Sequence, residues 1–288
     1  MELQGLSAGT SYYIKVKARN LEGIEVNYSS VTVKATRSEV PVITECRPTT
    51  GNETRQITIS WTDTGVEYFV QKSTDGISWE DLSGWITATS TSPAGLGVNR
   101  KYYFQVKAKN SEDNETNYSD YVSTWTWAEA PGATDPSGIF VSSMTANWLI
   151  GDNPSYTDYK VECSTTSSFN GSGDKESNWV EGTSYQFTGL NANTKYYFRA
   201  RSRTDDPVSP VMSTWTVLNS GTYTLIENPT AYWVQVGISS ITIKAAKNIS
   251  GDDLTNLGAE GNAAVKFLKV GDVWSEWTAN PEKTYTCL

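Results

Sequence analysis

A sixteen-residue pattern written three times constrains this chain more than anything else in it: "GLSAGTSYYIKVKARN" from Gly5, "GLGVNRKYYFQVKAKN" from Gly95 and "GLNANTKYYFRARSRT" from Gly189. Aligned on Tyr12, Tyr102 and Tyr196, the copies stand 90 and 94 residues apart. That period is the length of a whole seven-stranded sandwich domain and too long for a solenoid unit. Alternate residues of each copy are apolar: Tyr12, Ile14, Val16 and Ala18, then Tyr102, Phe104, Val106 and Ala108, then Tyr196, Phe198 and Ala200. The positions between them carry Lys15, Lys17, Gln105, Lys107, Arg199 and Arg201. A period of two with one wet face is the pattern of an antiparallel sheet packed on a core from one side. A leucine lies six residues before each tyrosine, at Leu6, Leu96 and Leu190. It is placed to plug the sandwich end while the tyrosine is buried and its hydroxyl bonds nearby backbone, the arrangement known as a tyrosine corner.

Upstream of the second and third copies runs a strand with a tryptophan. "QITISWTD" puts Ile57, Ile59 and Trp61 on one face, and "MTANWLI" does the same with Met144, Ala146 and Trp148. A second alternating segment follows each, with Tyr68 and Val70 inward before a turn at Asp75-Gly76, and with Tyr159, Val161 and Cys163 inward in the later copy. Taken as a set, the strand tryptophan, the "YxV" segment and the tyrosine corner resemble the fibronectin type III family, in the manner of its bacterial members. The resemblance implies an all-β chain of tandem seven-stranded, two-sheet Greek-key sandwiches, strands A to G, without an immunoglobulin-type disulfide.

On that reading the chain divides into four pieces. Residues 1–38 supply strands E, F and G, residues 39–128 and 129–225 are complete sandwiches, and residues 226–288 supply strands A, B, C and C′. The structural core rests on Leu6, Tyr12, Trp61, Leu96, Tyr102, Trp148, Leu190 and Tyr196. In the last piece Ala245 falls where Trp61 and Trp148 align, so either another ring such as Trp233 fills that volume or the register differs. The two incomplete ends are expected to be completed head to tail, by the continuing chain of a longer array or by other copies; closure within one chain is the less favoured arrangement. The opening "MELQGLSAGT" lacks the basic and apolar segments of a secretory signal. Short linkers carrying Pro41, Pro131 and Pro229 point to limited sway between domains.

Composition narrows the function. The 288 residues carry a net charge of −9, which argues against a nucleic-acid partner, since phosphate binding needs clustered Lys and Arg. With no histidine, Ser-His-Asp and Cys-His catalysis and His-ligated zinc are excluded. No apolar run approaches the ~20 residues that cross a bilayer, so no membrane insertion is expected in this segment. Cys46, Cys163 and Cys287 are too far apart and odd in number for a disulfide framework. Acidic clusters at Glu112–Glu115, Asp205-Asp206 and Asp252-Asp253 read as solvated loops. No catalytic residue, cofactor site or metal site is expected, and the chain reads as no enzyme.

The remaining signal is aromatic. Trp79, Trp85, Trp179, Trp274 and Trp277 fall on or near the C–C′ region, while Trp125, Trp127 and Trp215 lie on or beside the last strand before a linker. Packing across strands, contacts between filaments or domains, and stacking on sugar faces are the readings open to them. The leading expectation is a non-catalytic structural segment of an extracellular or cell-surface filament. The alternative is a spacer or carbohydrate-contacting accessory module of a secreted enzyme or adhesin, with polysaccharide as partner.

Overall fold

The computed structural model describes residues 2–237, 239–247, 251, 253–254, 265–267, 277–278 and 280–286. It divides into two units, one of Met1–Glu129 with the loops Asp152–Pro154 and Arg203–Val211, the other of Ala130–Gly151, Ser155–Ser202 and Met212–Leu288. All regular elements among the described residues are β-strands, and no helix is long and apolar enough to cross a membrane.

In the first unit, Ile43–Pro48, Ile57–Trp61 and Ser90–Thr91 form one antiparallel sheet. Glu80–Asp81, Glu67–Ser73, Lys101–Lys109 and Val122–Trp125 form the facing one. The alternation read from the sequence sets which side chains meet. Along Lys101–Lys109 every second residue is buried, and Val70 stands opposite Val106 while Tyr68 stands opposite Ala108. Ile57, Ile59, Trp61, Tyr68, Val70, Leu96, Tyr102, Phe104, Val106 and Ala108 make one buried cluster. β-branched and aromatic residues suit this half-buried pleated surface.

The second unit repeats the plan. Gly132–Ala133, Ser143–Leu149 and Ser184–Thr188 form one sheet, and Lys175–Glu176, Asp158–Ser164, Lys195–Arg203, Thr216–Val217 and Thr222–Tyr223 the other. Their core gathers Met144, Trp148, Tyr159, Val161, Cys163, Leu190, Tyr196 and Phe198. A further sheet joins Thr230–Val236, Ser240–Ala246 and Glu282–Thr286.

The tyrosine corner occurs three times. The backbone N–H of Ser7, Gly97 and Asn191 donates to the hydroxyl of Tyr12, Tyr102 and Tyr196 at 2.8, 2.8 and 2.9 Å. A threonine closes each corner from the other side. Thr36, Thr126 and Thr224 donate their hydroxyls to the carbonyls of Ser7, Gly97 and Asn191 at 2.6, 2.7 and 2.6 Å. The same hydroxyls accept the N–H of Thr10, Arg100 and Thr194. The sequence reading found the tyrosines; the threonines lie 24 to 28 residues downstream and become partners only when the strands pair.

Three expectations change. Leu6 and Tyr12 do not share the burial of their counterparts: Leu6 is 40% exposed while Leu96 and Leu190 are buried, and Tyr12 is half-buried. Among the described residues the sheet of Ser11–Ile14 and Thr32–Ala35 has two strands and no facing sheet, and Val16 is 66% exposed where Val106 is fully buried. Among the described residues no strand precedes Ser11, so the expected strand E is absent there. Instead the last piece runs beyond C′: Glu282–Thr286 pairs with Ser240–Ala246 as Ser184–Thr188 pairs with Ser143–Leu149, the position of strand E. Finally, Ala245 is buried at the tryptophan position in a cluster with Leu254, Val265 and Phe267, while the Trp233 side chain lies outside what the structure describes.

Candidate functional site

The long strands Lys101–Lys109 and Lys195–Arg203 bury alternate residues and turn the others outward, onto a face with no covering sheet. What those outward residues do differs between the two sandwiches, and the difference singles out one surface.

On the second sandwich the outward arginines are stacked with rings. The guanidinium of Arg199 lies 4.5 Å from the centre of the Phe169 ring and 4.4 Å from that of Trp215. Arg201 lies 4.3 Å from Trp215 and 5.9 Å from Trp179. Arg199 also pairs with Glu162 through Nε at 2.7 Å and Nη2 at 2.6 Å. Planar guanidinium on an aromatic face is a favourable contact, worth about 0.5–2 kcal/mol depending on how far it is desolvated. Trp179 and Trp215 are thus half-buried partners of cations.

One flank of the first sandwich follows the same logic with lysines. Lys107 Nζ lies 5.3, 5.4 and 5.1 Å from the rings of Phe69, Trp85 and Tyr118, and Lys109 lies 4.8 Å from Trp85. The acidic loop that follows supplies their counterions: Glu115 to Lys107 at 2.5 Å and Asp113 to Lys109 at 2.8 Å, with Glu67 also on Lys109. Those hydrogen bonds, first from Glu115 and from Asp113 respectively, raise the pKa of both ammonium groups. Among the described residues no group of three or more His, Cys, Asp or Glu is placed to hold a metal ion.

The other flank of the first sandwich carries one exposed ring beside two half-buried ones. Trp79 and Tyr121 stand 6.1 Å apart between centres, and Tyr121 and Tyr103 meet edge to face at 5.5 Å. Tyr121 is 56% exposed and the neighbouring Ile77 is 82% exposed. A tight loop sets this strip. Asp75 accepts the backbone N–H of Ile77 and Ser78 at 2.8 Å each and the Ser73 hydroxyl at 2.8 Å. The N–H of Ile77 above all, then that of Ser78, holds the Asp75 carboxyl well below the usual carboxylate range. Gly76 sits at φ +74°, against the Tyr103 ring, where a side chain would be strained in backbone and crowded by the ring.

Of the other aromatic candidates, Trp61 and Trp148 are core, and Trp125 and Trp127 are half-buried. Trp277 is exposed with Lys266 over its ring at 4.8 Å. Trp274 lies outside the described residues, as do Asp252 and Cys287. Within the first unit Glu129 is fixed by Arg55 at 2.8 Å and by a reciprocal pair with Asn153, whose Oδ1 accepts the Glu129 N–H and whose Nδ2 donates to the Glu129 carbonyl.

Paired antiparallel sheets, a buried strand tryptophan and a tyrosine corner define a class, the tandem two-sheet sandwich protein, and Cys46 and Cys163 are free thiols. Within it, residues 131–215 match the model of the fibronectin type III domain, and the first unit holds a sandwich with the same pairing of strands. It is similar to Chitinase A1 of Niallia circulans, 29% identical over 171 residues, covering 56% of this chain and 23% of that protein. The chain therefore spans about a quarter of that relative's length. Similar solved structures include a two-domain fibronectin type III segment of chicken tenascin, at 14% identity, 62% of this chain, 98% of that chain and a TM-score of 0.42. The FN1–FN3 domains of chicken CNTN1 match at 15% identity, 72% of this chain, 73% of that chain and a TM-score of 0.30.

Proposed function

We propose that the chain is a non-catalytic spacer and carbohydrate-contacting accessory module of a secreted enzyme or adhesin, working in an extracellular or cell-surface setting. One observation carries this reading: 171 residues are 29% identical to part of a protein named as a chitinase, of which the chain spans 23%. Sandwiches with stacked, ion-paired outer faces and short, proline-bearing connecting segments suit a spacer. The test is depletion of the intact chain from solution by insoluble chitin, against cross-linked agarose as a control. Saturable depletion by chitin alone is expected; equal retention on both would remove the carbohydrate-contacting part.

A second reading, a structural segment of a fibre, is favoured by the open face of residues 11–35, where Val16 is exposed and its counterpart Val106 is buried. Another copy of the chain would complete that half-sandwich. Sedimentation velocity over a hundredfold concentration range separates the cases: growing species support completion by other copies, and a constant monomer removes it.

A further inference from the structure

We propose that Trp79 and Tyr121, backed edge-on by Tyr103, form a binding strip for a neutral polysaccharide of pyranose units, an assignment that rests on the carbohydrate-contacting reading above. Three observations lead there. First, the rings are adjacent, at 6.1 and 5.5 Å between centres, with Tyr121 more than half exposed and Trp79 and Tyr103 half-buried. Second, two of the three rings are free of cations. Among the described residues no cation lies over Trp79 or Tyr121, and Lys101 lies over Tyr103 alone of the three, at 5.0 Å. Elsewhere on the outward faces, Trp85, Trp179 and Trp215 have a lysine or arginine on them. A ring face already covered by a guanidinium cannot also take the C–H face of a sugar.

Third, the surroundings select the ligand by charge. Asp120 and Glu80, the latter paired with Lys72 at 3.0 Å, flank Tyr121 and Trp79 in sequence and are exposed, in a chain of net charge −9. Such carboxylates accept hydrogen bonds from sugar hydroxyls and repel a polyanion. The strip is also held in place: the Asp75 loop fixes the approach to Trp79, and Gly76 lets the loop lie on the Tyr103 ring. A ring set that pays little ordering entropy on binding is what a weak, repeated stacking surface needs.

Depletion isotherms on insoluble chitin test the strip, using the intact chain, Trp79→Ala, Tyr121→Ala, the double variant, and Trp215→Ala. Each strip variant is expected to weaken binding about tenfold, the double more, and Trp215→Ala to leave it unchanged. Trp79→Phe, which keeps a ring, should restore most of the binding, separating loss of stacking from loss of fold. A soluble anionic polymer, carboxymethylcellulose, should not compete. If the unmodified chain binds no chitin, the functional reading and the strip fall together. If it binds and the double variant binds as well, or carboxymethylcellulose competes, the strip is wrong and the functional reading survives.

Discussion

Trp148→Ala should lower the unfolding free energy by about 3–5 kcal/mol, the range for deleting a buried large ring, where removal of apolar contact and the cavity left behind add together. Trp148 is 1% exposed, and its ring centre lies 5.5 Å from that of Tyr159, at the middle of a cluster that includes Met144, Val161 and Phe198. Both faces of the sandwich reach this ring, so its loss leaves a void that neither sheet can close without shifting. A domain has only about 5–15 kcal/mol in hand, so this one change removes a large share. Urea unfolding should show a lower midpoint at unchanged slope. Trp148→Phe offers an informative contrast. The indole Nε1 of Trp148 is buried without a hydrogen-bond partner, and so is that of Trp61. An unmet buried donor costs about 1–3 kcal/mol. Phenylalanine removes that donor along with part of the ring, so its net cost should be well below that of alanine. Equal losses in the two variants would mean that the ring's volume is not what stabilises the core.

The parts of this fold visible in the sequence are those set by local alternation. Tyr102, Phe104, Val106 and Ala108 announce a strand with one buried face because their spacing alone fixes which side they share. The hidden parts depend on partners far along the chain. Glu282–Thr286 is five residues of ordinary polarity, and it becomes a strand by pairing with Ser240–Ala246 some forty residues earlier. Leu6 and Val16 carry the right pattern for a core, yet burial also needs a facing sheet, which pattern cannot report. The candidate site shows the same divide. Arg199 and Arg201 read as solvated charge in the sequence, because Phe169, Trp179 and Trp215 come from three other segments. Only that placement separates the rings with a cation over them from Trp79 and Tyr121.

Cys163 in the folded chain should react with thiol reagents about a thousandfold more slowly than an exposed cysteine at the same pH. Its side chain is 1% exposed among Val161, Tyr196 and Phe198, and burial pushes the thiol from its usual 9.0 up to about 12. The thiolate is the reactive form, and three pKa units lower its fraction by about a thousand. Cys46 is shifted to about 12 by the same cause but is only half-buried, so its protection should be the smaller of the two. The same shift couples to stability. The unfolded chain releases the Cys163 proton near pH 9 while the folded chain keeps it, so between about pH 9 and 12 the unfolded state binds fewer protons. The contribution is therefore complete below pH 9 and is lost as the pH climbs through that window. Iodoacetamide labelling resolved by peptide mass, which separates Cys163 from Cys46 and Cys287, should find Cys163 unmodified until denaturant is added. Urea midpoints should fall from pH 8 to pH 10.5, and less steeply in Cys163→Ala. Prompt native labelling at Cys163 would place that thiol in contact with water and remove both effects at once.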